Sequence, residues 1–164
     1  MEIYYLITFF IFGTILGSFF NVVGYRLPRG ESIVKPPSKC PKCDHRLTPI
    51  ELIPIVSYLI QGGKCRNCQA PIAPYYAVIE ALTGLLFALS YYVFGLSPDL
   101  IIALIFVSME VVLIVSDYHF YILPDEVLIV AIIGLGLTIL ISQGFLALSY
   151  ALLNAIIAFF AILA

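Results

Sequence analysis

Charge is scarce in this 164-residue sequence, and positive charge is missing from most of it. Asp, Glu, Lys and Arg make up 11% of the chain and hydrophobic residues 62%, with a mean hydropathy of +1.09. A soluble domain carries about 25% charged and about 45–50% apolar residues. The deficit excludes an ordinary soluble domain, a disordered region, a collagen-like chain and a nucleic-acid-binding arm, so no nucleic-acid partner is expected. All eight Lys and Arg lie between Arg26 and Arg66, and none follows as far as Ala164. The sequence shows no internal repeat and no low-complexity tract. The first apolar run lacks the basic n-region and the small-x-small cleavage site of a secretory signal, so it reads as a transmembrane helix.

What is present is long apolar helix. Between Ile3 and Val23 the polar residues are Thr8, Thr14, Ser18 and Asn21, over a length of about 31 Å, enough to cross a hydrocarbon core of about 30 Å. Further spans are expected near 75–94, 100–116, 126–142 and 146–164, separated by Gly95 to Pro98, the stretch around Pro124, and Gln143-Gly144. The expected fold class is therefore an α-helical polytopic membrane protein with about five transmembrane helices. Gly13-x-x-x-Gly17 offers a close helix-packing face. Short loops rich in Lys and Arg remain in the cytoplasm, which makes segment 25–74 cytoplasmic and the N-terminus external. Three parts follow: helix 1 in 1–24, a cytoplasmic insert in 25–74, and helices 2–5 in 75–164. The surrounding partner is membrane lipid.

Cys40, Cys43, Cys65 and Cys68 form the pattern C-x2-C-x21-C-x2-C inside the insert. Two paired thiolate knuckles suit tetrahedral Zn²⁺, and four protein ligands leave no open position, so the metal is expected to be structural. Neighbouring Lys39, Lys42, Lys64 and Arg66 favour thiolates. Iron would use the same four residues. Disulfides are disfavoured on the reducing side of the membrane. A segment this small gains from a metal the stability its core cannot supply. His45 beside Cys43 is a competing ligand or a plain surface histidine.

Beyond Cys68 the ionisable residues are Glu80, Asp99, Glu110, Asp117, His119, Asp125 and Glu126, with no Lys or Arg to pair with them. An acid in or beside a membrane span is a functional candidate by default. Glu110 and Asp117 are seven apart and share a helical face if the third span continues that far. Asp117 opens the loop to Asp125, either as an acid or base at the membrane surface or as a loop-end aspartate facing water. Asp125 follows Pro124 and reads as a helix N-cap with Glu126 in the first turn. Asp99, after Pro98, reads as a cap or turn residue. Glu80 reads as a helix-start acid near the interface, and Asn154 as a packing residue.

In order, these residues resemble the type IV prepilin peptidases, the bifunctional leader peptidase and N-methyltransferase family of the bacterial inner (plasma) membrane. The resemblance runs through Gly17-Ser-Phe-Phe-Asn21-Val-Val-Gly-Tyr-Arg26-Leu-Pro28, Cys40-Pro-Lys-Cys43, Ile53-Pro-Ile-Val-Ser57-Tyr, Gly63-Lys-Cys65-Arg-Asn-Cys68-Gln-Ala-Pro-Ile, Tyr76-Ala-Val-Ile-Glu80-Ala-Leu-Thr83, and Asp117 with Leu123-Pro124-Asp125. It implies an aspartic endopeptidase that removes the leader of prepilin-like substrates at the cytoplasmic face. It further implies methylation of the new N-terminus with S-adenosylmethionine, in pilus assembly or protein secretion. Asp117 matches the first catalytic aspartate. Glu80 matches a family glutamate, and Glu80 and Asp125 stand as accessory candidates.

The family's second aspartate belongs to a Gly-x-Gly-Asp motif that this sequence does not contain; Gly134-Leu-Gly136-Leu does not supply it. Two adjacent carboxylates share one proton, one acting as base and the other as acid, and one aspartate cannot fill both roles. The expectation is a C-terminally truncated copy without peptidase activity. No strand–glycine–helix segment marks a cofactor site, so the residues that hold S-adenosylmethionine are unknown. A non-enzymatic membrane-tethered zinc module, or an inactive fragment, is the competing reading, and an ion-path fragment using Glu110 and Asp117 is a third.

Overall fold

The computed structural model describes residues 2–163. Met1 and Ala164, the outermost residues of the expected first and fifth spans, lie outside them. The chain runs α1 (Glu2–Arg26), a 3₁₀ turn at Leu27–Arg29, a second at Pro49–Leu52, α2 (Val56–Ile60), α3 (Tyr75–Phe94), α4 (Pro98–Phe120) and α5 (Asp125–Leu163). No strand is formed among the described residues; pairing between extended segments is limited to bridges at Lys39–Arg46 and Lys64–Pro71. Helices α1, α3, α4 and α5 are each long and apolar enough to cross a membrane. The protein is an α-helical polytopic membrane protein with a four-cysteine insert after its first helix.

Small residues let α1 and α3 lie close together. A methyl group added to Gly13 would fall 2.8 Å from the Gly84 Cα, and one added to Gly84 would fall 2.7 Å from Thr14 Cγ2. The Gly13-x-x-x-Gly17 face is thus spent on α3 within the same chain. Gly24 gives α4 the same access, with its hydrogens against Val115 and the Val112 carbonyl. Phe20, Phe87, Val111 and Val112 form the buried core where these three helices meet.

The ends of the helices sort into two groups. Tyr25, Tyr75 and His119 touch ring to ring, which joins the end of α1, the start of α3 and the end of α4. At the other pole, Tyr5 and Phe9 of α1 meet Tyr91 of α3, and Gln143 of α5 donates to Asp99 of α4. The insert and Asp117 therefore share one end of the bundle.

Two boundaries differ from the sequence reading. The third span does not stop at 116: α4 continues to Phe120, and Tyr121 closes it in the left-handed region (φ 54°, ψ 36°). The Ser116 hydroxyl donates to the Ile122 carbonyl and folds the connection back over the helix end. The expected connection at 143–145 is a single-residue break. Gly144 takes φ 85° and ψ 176° within α5, a conformation open to glycine alone, and divides the helix into two apolar segments. The part beyond Gly144 is largely exposed, Asn154 included.

Candidate functional site

The insert is built on two knuckles with the same hydrogen bonds. In the first, the Cys40 N–H donates to His45 O (2.9 Å) and the Asp44 N–H to Cys40 O (3.0 Å); in the second, Cys65 donates to Ala70 (2.8 Å) and Gln69 to Cys65 (2.9 Å). Asp44 (φ 56°) and Gln69 (φ 59°) make the same left-handed turn. Leu47 to Ser38 and Ile72 to Gly63 close the two loops. The sequence reading found no internal repeat, yet Lys-Cys-x-x-Cys at 39–43 and at 64–68 is a short one, recognisable because each copy encodes one turn.

The knuckles bring all four sulfurs within 4.8 Å of one another. Cys40 and Cys68 Sγ are 3.8 Å apart, and Cys43 and Cys65 Sγ are 3.9 Å apart. A tetrahedral site with Zn–S bonds of about 2.3 Å has sulfur edges of about 3.8 Å, so the donor set fits zinc. The Lys42 and Cys43 backbone amides aim at Cys40 and hold its thiol down to about 7. Cys68 receives the Ala70 amide, which lowers its pKa, but crowding by Cys43, burial, and the Cys65 and Cys40 sulfurs raise it to about 12. Four thiolates this close need a cation among them. Asn67 Nδ2 points to Cys43 Sγ at 3.6 Å.

His45 is not a fifth ligand and not a plain surface residue. Its Nε2 lies 3.2 Å from Glu51 Oε2. Glu51 is buried and also accepts from the Thr48 N–H (2.9 Å) and hydroxyl (2.8 Å). These donors, the Thr48 amide foremost, hold its carboxyl down to about 2. The sequence reading passed over Glu51; Thr48-x-x-Glu51 is the capping-box signal that marks it.

Glu80 sits in α3, facing the insert. Its Oε2 accepts the Ile55 N–H at 2.7 Å. Ile55 has φ 61° and ψ −53°, and the Val56 N–H returns to Pro54 O: a γ-turn with positive φ, strained for a β-branched residue. Glu80 is thus a tether for a strained turn.

Asp117 is exposed on α4, one turn before the helix end, and lies on the same continuous helix as Glu110. Tyr75, Tyr118, His119 and Tyr25 crowd the helix ends beside it, with the Arg29 guanidinium over Tyr25 at 5.1 Å. Asp125 begins α5, with Glu126 in the same turn, and the Val127 N–H goes to Pro124 O. It is the first helical residue, one position inside the expected N-cap. Asp99 lies in the first turn of α4 and accepts from Gln143 at 3.2 Å, at the pole away from the insert. The structure brings the four cysteines together and puts Asp117 and Glu80 at their end of the bundle.

A membrane-embedded helical protein with a four-cysteine module between its first two long helices is the class these features define. Residues 11–94 match the family described as the bacterial peptidase A24 N-terminal domain, and the chain belongs to that family. It is 46% identical over 120 residues to a prepilin leader peptidase/N-methyltransferase of Bacillus subtilis (strain 168), covering 73% of this chain and 48% of the relative. Identity is 39% over 150 residues with the protein of that name from Myxococcus xanthus (strain DK1622), covering 92% and 44%. It is 35% over 170 residues with that from Neisseria gonorrhoeae, covering 89% and 59%. The chain spans about half the length of these curated relatives. No solved structure matches it. The apolar helices and the family together fit an inner-membrane protein.

Proposed function

We propose that this chain is the zinc-bearing N-terminal part of a membrane aspartic endopeptidase and N-methyltransferase acting on prepilin-like proteins at the cytoplasmic membrane face. Identity to relatives named for both activities is the observation that carries the proposal. Cys40, Cys43, Cys65 and Cys68 hold a structural zinc that fixes the fold of the insert. Asp117 is one carboxylate of the peptidase dyad. Its place on α4 suits this role: a rigid helix carries it, it is exposed to an incoming peptide, and it shares the insert's end of the bundle.

Hydrolysis of the leader peptide bond needs one carboxylate to take a proton from water and another to give one to the carbonyl oxygen. Asp117 supplies one of these groups, and a Gly-x-Gly-Asp aspartate, which the 164 residues do not contain, supplies the other. The 164 residues alone therefore do not cleave. S-adenosylmethionine is the methyl donor that the second activity requires, and no residue is assigned to it. Glu80 and Asp125 are accessory: Glu80 positions the insert, and Asp125 starts the helix after the Asp117 connection.

The test is Asp117→Asn in a protein that carries this chain together with a Gly-x-Gly-Asp segment. Leader cleavage of a prepilin is expected to fall by at least about three orders of magnitude, the loss typical when one member of a catalytic unit is removed, with zinc content unchanged. Unchanged cleavage overturns the assignment. Cleavage by the 164 residues alone overturns the need for a second aspartate.

A further inference from the structure

The stretch from Pro49 to Ile60 exposes more aliphatic surface than a water-facing loop should. Ile50 (67%), Leu59 (70%) and Ile60 (80%) are the most exposed, and Leu52, Ile53 and Val56 are exposed beside them. The one charge in the stretch, Glu51, is turned inward onto Thr48 and His45. The outward face therefore carries no acid. Large aliphatic patches of this kind mark a surface that something covers.

Three observations identify the cover as the bilayer. The first is depth. Tyrosines gather where membrane meets water, and Tyr25, Tyr75 and Tyr118 form such a group at this end of the bundle. Glu80 lies further into α3 than Tyr75, by about 8 Å along the axis. Its bond to the Ile55 N–H holds the aliphatic stretch beside the second turn of α3, a helix long and apolar enough to span the bilayer. The second is the backbone. The N–H groups of Glu51, Ile53, Val56, Ser57, Leu59 and Gln61 are satisfied within 48–61, and Glu80 takes that of Ile55, as a peptide near hydrocarbon requires. The third is charge. Ile53, Val56 and Ile60 line a cavity of about 420 Å³ whose wall also includes the buried Glu51 and the exposed Lys64 and Arg66. Exposed aliphatic residues and exposed cations around one cavity form the pattern of an element seated among anionic headgroups.

We propose that residues 49–60 lie in the membrane interface as a monotopic element, with Leu59 and Ile60 among the upper acyl chains and Lys64 and Arg66 at lipid phosphates. The insert is then a membrane-seated module, held to the bilayer by its own aliphatic face in addition to the Glu80 bond to α3. This follows from the membrane fold and does not depend on the peptidase reading.

The chain has no tryptophan, so a single introduced one reports on its own position. Leu59→Trp and Ile60→Trp are reconstituted separately in vesicles of phosphatidylcholine and phosphatidylglycerol, with Val34→Trp, at a position 76% exposed in the other half of the insert, as the water-facing reference. Zinc content of each variant verifies that the insert has folded. Lipids brominated near the headgroup are expected to quench the indole at positions 59 and 60 at least about twofold more than the one at position 34, and aqueous iodide to do the reverse. Iodide quenching at positions 59 and 60 equal to that of the reference, without lipid quenching, overturns the proposal. Shielding from both quenchers also overturns it, since that assigns the face to protein, either a second copy or another segment.

Discussion

The Glu80 carboxylate, in the second turn of α3, accepts the backbone N–H of Ile55, a residue of the insert, at 2.7 Å. This bond joins the insert to the bundle and holds a backbone turn that isoleucine does not choose alone. Removing the acceptor leaves a strained turn with an unpaired donor, at a cost of roughly 1–3 kcal/mol. Glu80→Leu is expected to speed amide exchange at Ile55 by about tenfold or more, measured by hydrogen exchange in detergent. Glu80→Gln keeps a carbonyl acceptor and should retain most of the protection. Equal exchange in the wild type and Glu80→Leu would remove the tether from the account.

The paired knuckles make a symmetrical demand on metal. Each contributes two sulfurs through the same hydrogen-bonded turn. One zinc per chain is expected on metal analysis of the purified protein. Cys43→Ser and Cys68→Ser, equivalent positions in the two copies, should lose it alike. A ratio near zero in the wild type rejects the site. A large difference between the two variants rejects the equivalence of the knuckles.

Glu51 gives the insert a pH dependence of definite sign. The Thr48 amide, the Thr48 hydroxyl and His45 hold its carboxyl down to about 2, below the ordinary 4.5. A depressed carboxylate stabilises the fold fully above its unfolded pKa, and the contribution disappears as pH falls through the folded value. Exchange of the Thr48–Ile53 amides should therefore be faster in Glu51→Gln than in the wild type at about pH 6. The difference should shrink between about pH 4.5 and about pH 2. Zinc content is measured at each pH, and the comparison is confined to the range in which both proteins keep the metal. A difference that stays constant across this window means that Glu51 acts by shape alone.

Local signals were the legible part of the fold. The apolar runs predict α1 and α3 closely because span length and polarity are composition, and the cysteine spacing predicts the cluster because each knuckle is a short local turn. The missed features depend on partners distant in sequence or on a single backbone angle. α4 runs past the expected end at 116 to Phe120, where left-handed Tyr121 closes it with its N–H on the Asp117 carbonyl, so Asp117 is helical rather than the first loop residue. Gln143-Gly144 reads as a turn, but one glycine angle interrupts α5 without an intervening loop. The partner of Glu80 was hidden because nothing in Ile53-Pro-Ile-Val announces a positive φ at Ile55. The role proposed for Asp117 rests on family resemblance alone; exposed at a helix end, it carries no local mark that separates a catalytic aspartate from a solvated one.

The contact between α1 and α3 sets the frame for both the insert and Asp117, and it rests on hydrogens where side chains would not fit. A methyl at Gly84 meets Thr14 Cγ2 at 2.7 Å and the Phe10 carbonyl at 2.9 Å, while one at Gly136 meets nothing within 4 Å. Neither partner at Gly84 is the far end of a flexible chain, so the helices must separate. Overpacking of this kind costs roughly 1–3 kcal/mol. Gly136→Ala faces open space, replaces the poorer helix former, and should be neutral or slightly stabilising. Unfolding in a graded mixture of mild and denaturing detergent measures both. Gly84→Ala is expected to unfold at a lower denaturing fraction than the wild type, and Gly136→Ala at the same fraction or higher. Because Glu80 is one turn from Gly84 on α3, separation of the helices should also weaken the Ile55 tether. Faster Ile55 exchange in Gly84→Ala, and not in Gly136→Ala, is then the sign that helix packing and the seating of the insert are one mechanical unit.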